Sequence, residues 1–187
     1  MVRIDIRRTP SSGEQILSPR SMASIQLDLV YRYRQLVFDR EQGKVLDSEQ
    51  ERRIRTIESL FATTASGSDS GDCETPSFGK LDQMSALLRQ GPVSQPVRVV
   101  AFGLAEAICF CPRDVEVLDG TAIELVFDDD SGSYRFKALV VWSRLDADLE
   151  QILGLELYGL PLLLRRGPPS DKTHSIVERI LNDAGGR

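Results

Sequence analysis

Histidine is almost missing from this chain: His174 is the only one in 187 residues. A Ser-His-Asp or Cys-His arrangement therefore has a single residue to draw on, and its neighbours supply no nucleophile, so catalysis of that kind is not expected. Cysteine is nearly as scarce, with Cys73, Cys109 and Cys111. Cys109 and Cys111 share one face of an extended segment, where they are badly placed to bridge each other, and their spacing is too short for a zinc pair. Reduced, buried thiols are expected, as in a protein kept in the cytoplasm. No Gly-Lys-Ser/Thr element cradles a phosphate. The run Asp128-Asp129-Asp130-Ser131-Gly132 lacks the spacing of a calcium loop and reads as a solvated turn. Positive charge is also short: 23 Lys and Arg face 28 Asp and Glu, a net charge of −5, which removes the electrostatic footprint of a nucleic-acid binder. Met1 to Arg8 carries charges throughout, unlike a secretory leader, and the apolar run Leu160 to Leu164 is far too short for a bilayer, so membrane insertion is not expected. These absences together point away from an enzyme, a metal site or a resident cofactor.

What is present divides into two patterns. Residues 1–23 are rich in Ser, Pro, Gly and Arg and read as a flexible arm. From Ser24 to Glu41 apolar residues recur at helical spacing in two adjoining stripes. Leu27, Val30, Tyr31 and Phe38 make one, and Ile25, Leu29, Tyr33 and Leu36 the other, a surface too broad for one neighbouring helix. Gly43 supplies the helix stop, and Ser48 with Glu51 has the spacing of a capping box for a second helix with the stripe Ile54, Ile57, Leu60 and Phe61. A helical hairpin over 24–62, for packing or self-association, is the expectation, with Leu29 and Leu36 as its contact residues. The arginines on it read as a solvated face paired with Glu49, Glu51 and Glu58.

Residues 63–77 have almost nothing to bury and read as a linker. Beyond them the period drops to two. Segments at 85–89, 97–102, 108–111, 121–127, 134–142 and 152–158 read as strands, and Gly91-Pro92, Asp119-Gly120 and Asp130-Ser131-Gly132 read as turns between them. Tyr134, Phe136, Ala138, Val140 and Trp142 alternate onto one face. A last helix is predicted over 171–182, with Ile176, Val177, Ile180 and Leu181 on one side.

The order of three features resembles the PilZ family, small bacterial β-barrels best known for binding cyclic di-GMP. These are the Asp119-Gly120 turn entering Ile123 to Phe127, the strand end Val140-Val141-Trp142, and Gly154-Leu155-Glu156-Leu157. The resemblance runs from about Phe78 to Pro161. It implies a mainly β fold with α: a PilZ-like antiparallel six-stranded barrel with a C-terminal helix over 78–187, preceded here by the αα-hairpin.

The family grips its ligand with an R-x-x-x-R segment and a D/N-x-S-x-x-G segment. Forked guanidinium groups take phosphates and guanine edges, and the second segment adds polar contacts and a close backbone approach. Arg89 and Arg98 are the nearest arginines, at the wrong separation. One register puts Phe102, Leu104 and Ala107 where the second segment should be, and the next puts Ala101, Gly103 and Glu106 there; neither matches. Cyclic di-GMP is therefore not expected to bind. The expected function is that of a non-enzymatic adaptor working through a protein partner or self-association, in motility, pilus or surface behaviour. Phe102, Leu104 and Ala107 are either a protein contact or core, and alternation alone does not choose. The alternative is a cyclic di-GMP receptor with an altered site that uses Arg89 and Arg98.

Overall fold

The computed structural model describes residues 19–65, 80–112, 117–129, 132–146, 150–165 and 171–184. Most of the expected linker and of the expected arm, with Cys73, lie outside them, while residues 63–65 of the expected linker belong to the second helix.

The described residues open with α1 (Pro19–Glu41), which begins five residues before the expected Ser24. Proline is at ease in a first helical turn, where its missing N–H has no partner to lose. Gly43, at φ 79°, ends this helix as its sequence suggested. Then α2 (Ser48–Ala65) starts, but its cap sits one residue earlier than expected. Asp47 Oδ1 accepts from Gln50 N at 2.8 Å, and Gln50 Oε1 accepts from Asp47 N at 3.0 Å. The reciprocal box is Asp47/Gln50, not Ser48/Glu51, because the ionised Asp47 is the stronger acceptor for the open N–H groups.

Six strands follow: β1 (Lys80–Gln90), β2 (Val93–Phe102), β3 (Glu106–Cys111), β4 (Ala122–Asp129), β5 (Gly132–Leu145) and β6 (Gln151–Arg165). All pairings are antiparallel, and the order β1-β2-β3-β6-β5-β4 closes where Leu88 pairs with Leu125. The architecture is a closed six-stranded antiparallel barrel with three helices, the last being α3 (Asp171–Ala184). Closure removes the exposed sheet edges that an open sheet would leave.

Several strands are longer than their alternation suggested. The last strand is expected to end at 158, yet β6 runs on to Arg165. Gly159 takes φ 66° and the register shifts between Arg135 and Lys137, so a bulge accommodates the extension. A second shift between Val140 and Trp142 turns Trp142 outward, away from the face it was expected to share with Tyr134 and Phe136. Its indole lies over the bare backbone of Gly154, which pairs with it from β6.

The barrel interior is apolar, centred on Phe102, Phe127 and Phe136, whose ring centroids are 4.9 to 6.0 Å apart. Helix α1 crosses one end. Its Leu27 and Val30 belong to the barrel's own core, whereas Ile25 and Leu29 face Ile57 of α2 and Val177 and Leu181 of α3. The two stripes are thus covered on opposite sides, one by the barrel and one by helices.

Candidate functional site

The segment 101–107, where the resemblance would put ligand contacts, lies beneath α1. Phe102 and Ala107 are buried in the barrel, so their side chains are core and not a partner surface. Gly103 N donates to Glu106 O at 2.8 Å, and Gln26 Nε2 of α1 donates to Phe102 O at 2.6 Å, so the backbone between β2 and β3 is held by the chain itself. Leu104 is half-buried and touches both the barrel core and the cluster between the helices. Leu29 is buried between helices and Leu36 is half-buried. What covers this end of the barrel is therefore an element of the same chain.

Behind this cover a charged network fixes α1. Arg32 Nε donates to Asp28 Oδ2 at 2.7 Å and its Nη1 donates to Glu178 of α3. Tyr134 Oη donates to the other oxygen of Asp28 at 3.3 Å, and the rings of Tyr31 and Tyr134 meet edge to face at 5.8 Å. Burial pulls the Arg32 pKa down, but Asp28 and Glu178 more than offset it, and the guanidinium is held charged more firmly than usual. Burial raises the Tyr31 hydroxyl, and burial with the neighbouring Glu58 raises that of Tyr33. On α2, hydrogen bonds from Arg52 and Arg53 hold the Glu49 carboxyl below its usual range. Arg53 also reaches Glu178 at 3.4 Å. The Glu49 to Arg53 pair forms as its spacing suggested.

A recess of about 330 Å³ opens between the three helices and β6, with Leu36, Ile57, Leu160 and Leu181 at its apolar wall and Arg32 and Arg53 at its rim. Both arginines are already committed to carboxylates, so the recess offers no free cationic fork to a phosphate.

Arg89 and Arg98 do not converge. Arg98 pairs across the sheet with Ser85, four residues from Arg89 along β1, or about 13 Å of strand. Arg89 lies 3.9 Å from Glu124, while Arg98 bonds Glu150 at 2.8 Å and stacks on Phe110 at 4.7 Å. Each arginine is neutralised locally, and no bidentate grip spans the two.

At the far end of the barrel, Gln95 Nε2 donates to Cys111 Sγ at 2.9 Å and Gln151 bridges to the backbone of Val117. Cys109 and Cys111 are buried free thiols, as expected, and burial, helped by Cys111, pushes the Cys109 thiol up to about 12. Among the described residues no group of three or more His, Cys, Asp and Glu side chains could hold a metal, and the side chain of His174 lies outside them.

No family model matches the sequence. No curated protein matches it either. Among solved structures, the Bacillus subtilis inhibitor of motility, MotI/DgrA, is similar at 6% identity and a TM-score of 0.38, over 55% of this chain and 47% of that one. The matched part thus spans about half the length of that protein.

The outer face of β5 and β6, which sequence reasoning passed over, is the other candidate. Tyr158, Leu162 and Leu164 are exposed there, and Leu160, also exposed, lies at the wall of the recess beside the helices. The alternation of β6 carries the signal, whereas the run Leu160 to Leu164 by itself bears only on membrane-spanning length. No helix of the described residues is long and apolar enough to cross a membrane.

Proposed function

We propose that this chain is a non-enzymatic, PilZ-like adaptor of the cytoplasm that acts through protein contacts and does not bind cyclic di-GMP. The observation that carries the reading is the closure of the barrel end by α1. Leu27 and Val30 occupy the core beside Phe102, and Gln26 takes the Phe102 carbonyl, so the place where a nucleotide would meet the barrel backbone is filled. Arg89 and Arg98, each held by its own carboxylate, leave no shared fork for phosphates. A site in motility, pilus or surface-behaviour signalling follows from the sequence resemblance.

Isothermal calorimetry of the full chain with cyclic di-GMP tests this. No saturable heat and an unchanged melting temperature are expected at tens of micromolar, because a ligand that binds the native state must stabilise it as ln(1 + [L]/Kd). Binding tighter than about 10 μM, worth about 7 kcal/mol, would require a formed site and would overturn the reading.

A further inference from the structure

Helix α3 rests on the other helices and not on the barrel. It packs against α1 and α2 and has no comparable contact with any strand among the described residues. Its buried side is a short i,i+4 pair, Val177 and Leu181, set against Ile25 and Leu29 of α1 and Ile57 of α2, with Ile176 and Ile180 half-buried beside it. Ser175, Arg179 and Asn182 are exposed on the other side. An amphipathic helix laid in a groove between two others is also the form in which one protein commonly receives a helix of another.

Two features make this seat reversible. Glu178 is taken by Arg32 from α1 and by Arg53 from α2. When it leaves, Arg32 still holds Asp28 at 2.7 Å and Arg53 still holds Glu49 at 3.1 Å, so opening leaves neither cation unpaired. The seam is also incompletely filled, because the recess of about 330 Å³ has both Leu181 and Ile57 in its wall. An element with few buried side chains, bordered by open space, is of the kind that opens locally while the rest stays folded. The barrel keeps its cover when this happens, since Leu27 and Val30 of α1, and no residue of α3, enter its core.

We propose that the groove between α1 and α2 is the partner site, that α3 fills it as an internal stand-in, and that the partner displaces α3 with an amphipathic helix of its own. That helix carries two aliphatic residues four apart and a carboxylate next to the first. It thereby repeats the contacts of Val177, Leu181 and Glu178, and its carboxylate enters the fork of Arg32 and Arg53, so the exchange of one helix for the other loses no buried pair. This deepens the adaptor reading, on which it rests, by naming the surface and the class of partner.

A fluorescein-labelled synthetic peptide of residues 171–184, titrated with the full chain and read by fluorescence anisotropy, tests it. In the native chain α3 is tethered to β6 by residues 166–170 and competes at an effective concentration of about 1 mM, so the peptide is expected to bind poorly. Val177→Glu in the chain frees α3 and leaves the groove intact, and is expected to tighten peptide binding at least about tenfold. A peptide carrying Glu178→Gln is expected to bind that variant about tenfold more weakly. In the native chain the amides of α3 are expected to exchange with deuterium faster than those of β5. Equal binding by the two chains, a peptide indifferent to Glu178→Gln, or α3 amides as slow as those of β5 would overturn the proposal. A Val177→Glu chain whose barrel no longer folds would overturn it too, because α3 would then be part of the core. A native dimer that Val177→Glu dissociates would overturn it by assigning the groove to α3 of a second copy. Failure of the exchange in a chain that also shows no cyclic di-GMP binding removes the groove and leaves the adaptor reading standing, whereas saturable cyclic di-GMP binding removes that reading itself.

Discussion

Replacing Gly154 with alanine tests the seat of Trp142 with a sign change that few other effects imitate. A Cβ on Gly154 would lie 2.1 Å from Trp142 Cε2, 2.2 Å from Nε1 and 2.6 Å from Cζ2. Non-bonded carbons rest at about 3.5–4.0 Å, so the indole must retreat by about 1.5 Å or swing off the sheet. Overpacking of this kind costs about 1–3 kcal/mol. Against it stands the intrinsic gain from removing a glycine inside a strand, about 0.5–1 kcal/mol. The net loss for Gly154→Ala in the native chain is thus about 1–2 kcal/mol, or a melting temperature lower by about 2–8 °C for a chain of this size. With Trp142→Ala already in place the clash is gone and only the backbone term remains, so the same substitution should raise the melting temperature. Thermal and urea unfolding of the four members of this cycle give the coupling directly. If Gly154→Ala has the same sign in both backgrounds, the indole does not depend on the bare glycine and the argument is wrong.

Arg32→Ala leaves Asp28 and Glu178 short of their shared cation and should cost about 2 kcal/mol in urea unfolding; an unchanged midpoint would show that Tyr134 and Arg53 suffice for the two carboxylates. The Cys109 thiol is raised from 9.0 to about 12 by burial, so the unfolded chain loses its proton first as the solution turns alkaline. Its contribution is whole below pH 9 and is lost as pH rises towards 12, a slope that should flatten in Cys109→Ala and that a pH series of melting temperatures reads. Finally, helices and barrel should melt in one calorimetric transition, since Leu27 and Val30 of α1 sit in the barrel core; two resolved peaks would show instead that the helices come away alone.

The strands and helices were legible wherever burial has a simple period. The two stripes of α1 appear in the sequence as Leu27 and Val30 beside Ile25 and Leu29, and the fold uses both, because a helix wedged between a barrel end and two other helices must be apolar on opposite sides. Bulges were not legible. Nothing in Val140-Val141-Trp142 shows that Trp142 leaves the inner face, since the turn outward depends on Gly154, twelve residues away and on another strand. The same holds for β6 beyond Tyr158, where the expected strand stops and where pairing with β5 carries it on to Arg165. At the candidate site, alternation placed Phe102 and Leu104 together without choosing a side. The choice is made by Phe127 and Phe136, which surround Phe102, and by Gln26, which takes its carbonyl. Both are long-range contacts that no local pattern encodes.

Where the polar groups are spent decides where the molecule can still recognise something. Around the covered end of the barrel the charges of the network answer one another within the chain: Asp28 and Glu178 hold Arg32, Glu49 holds Arg52 and Arg53, and Asp28 also takes the Tyr134 hydroxyl. Such mutual satisfaction makes a rigid seat for α1 and a poor receptor for a free phosphate, because such a ligand would have to break a buried pair before making a contact of its own. On β5 and β6 the polar groups are spent less fully. Arg135 Nε finds no hydrogen-bond partner, and Lys137 and Glu156 make no ion pair among the described residues, so a partner there would have fewer internal contacts to displace.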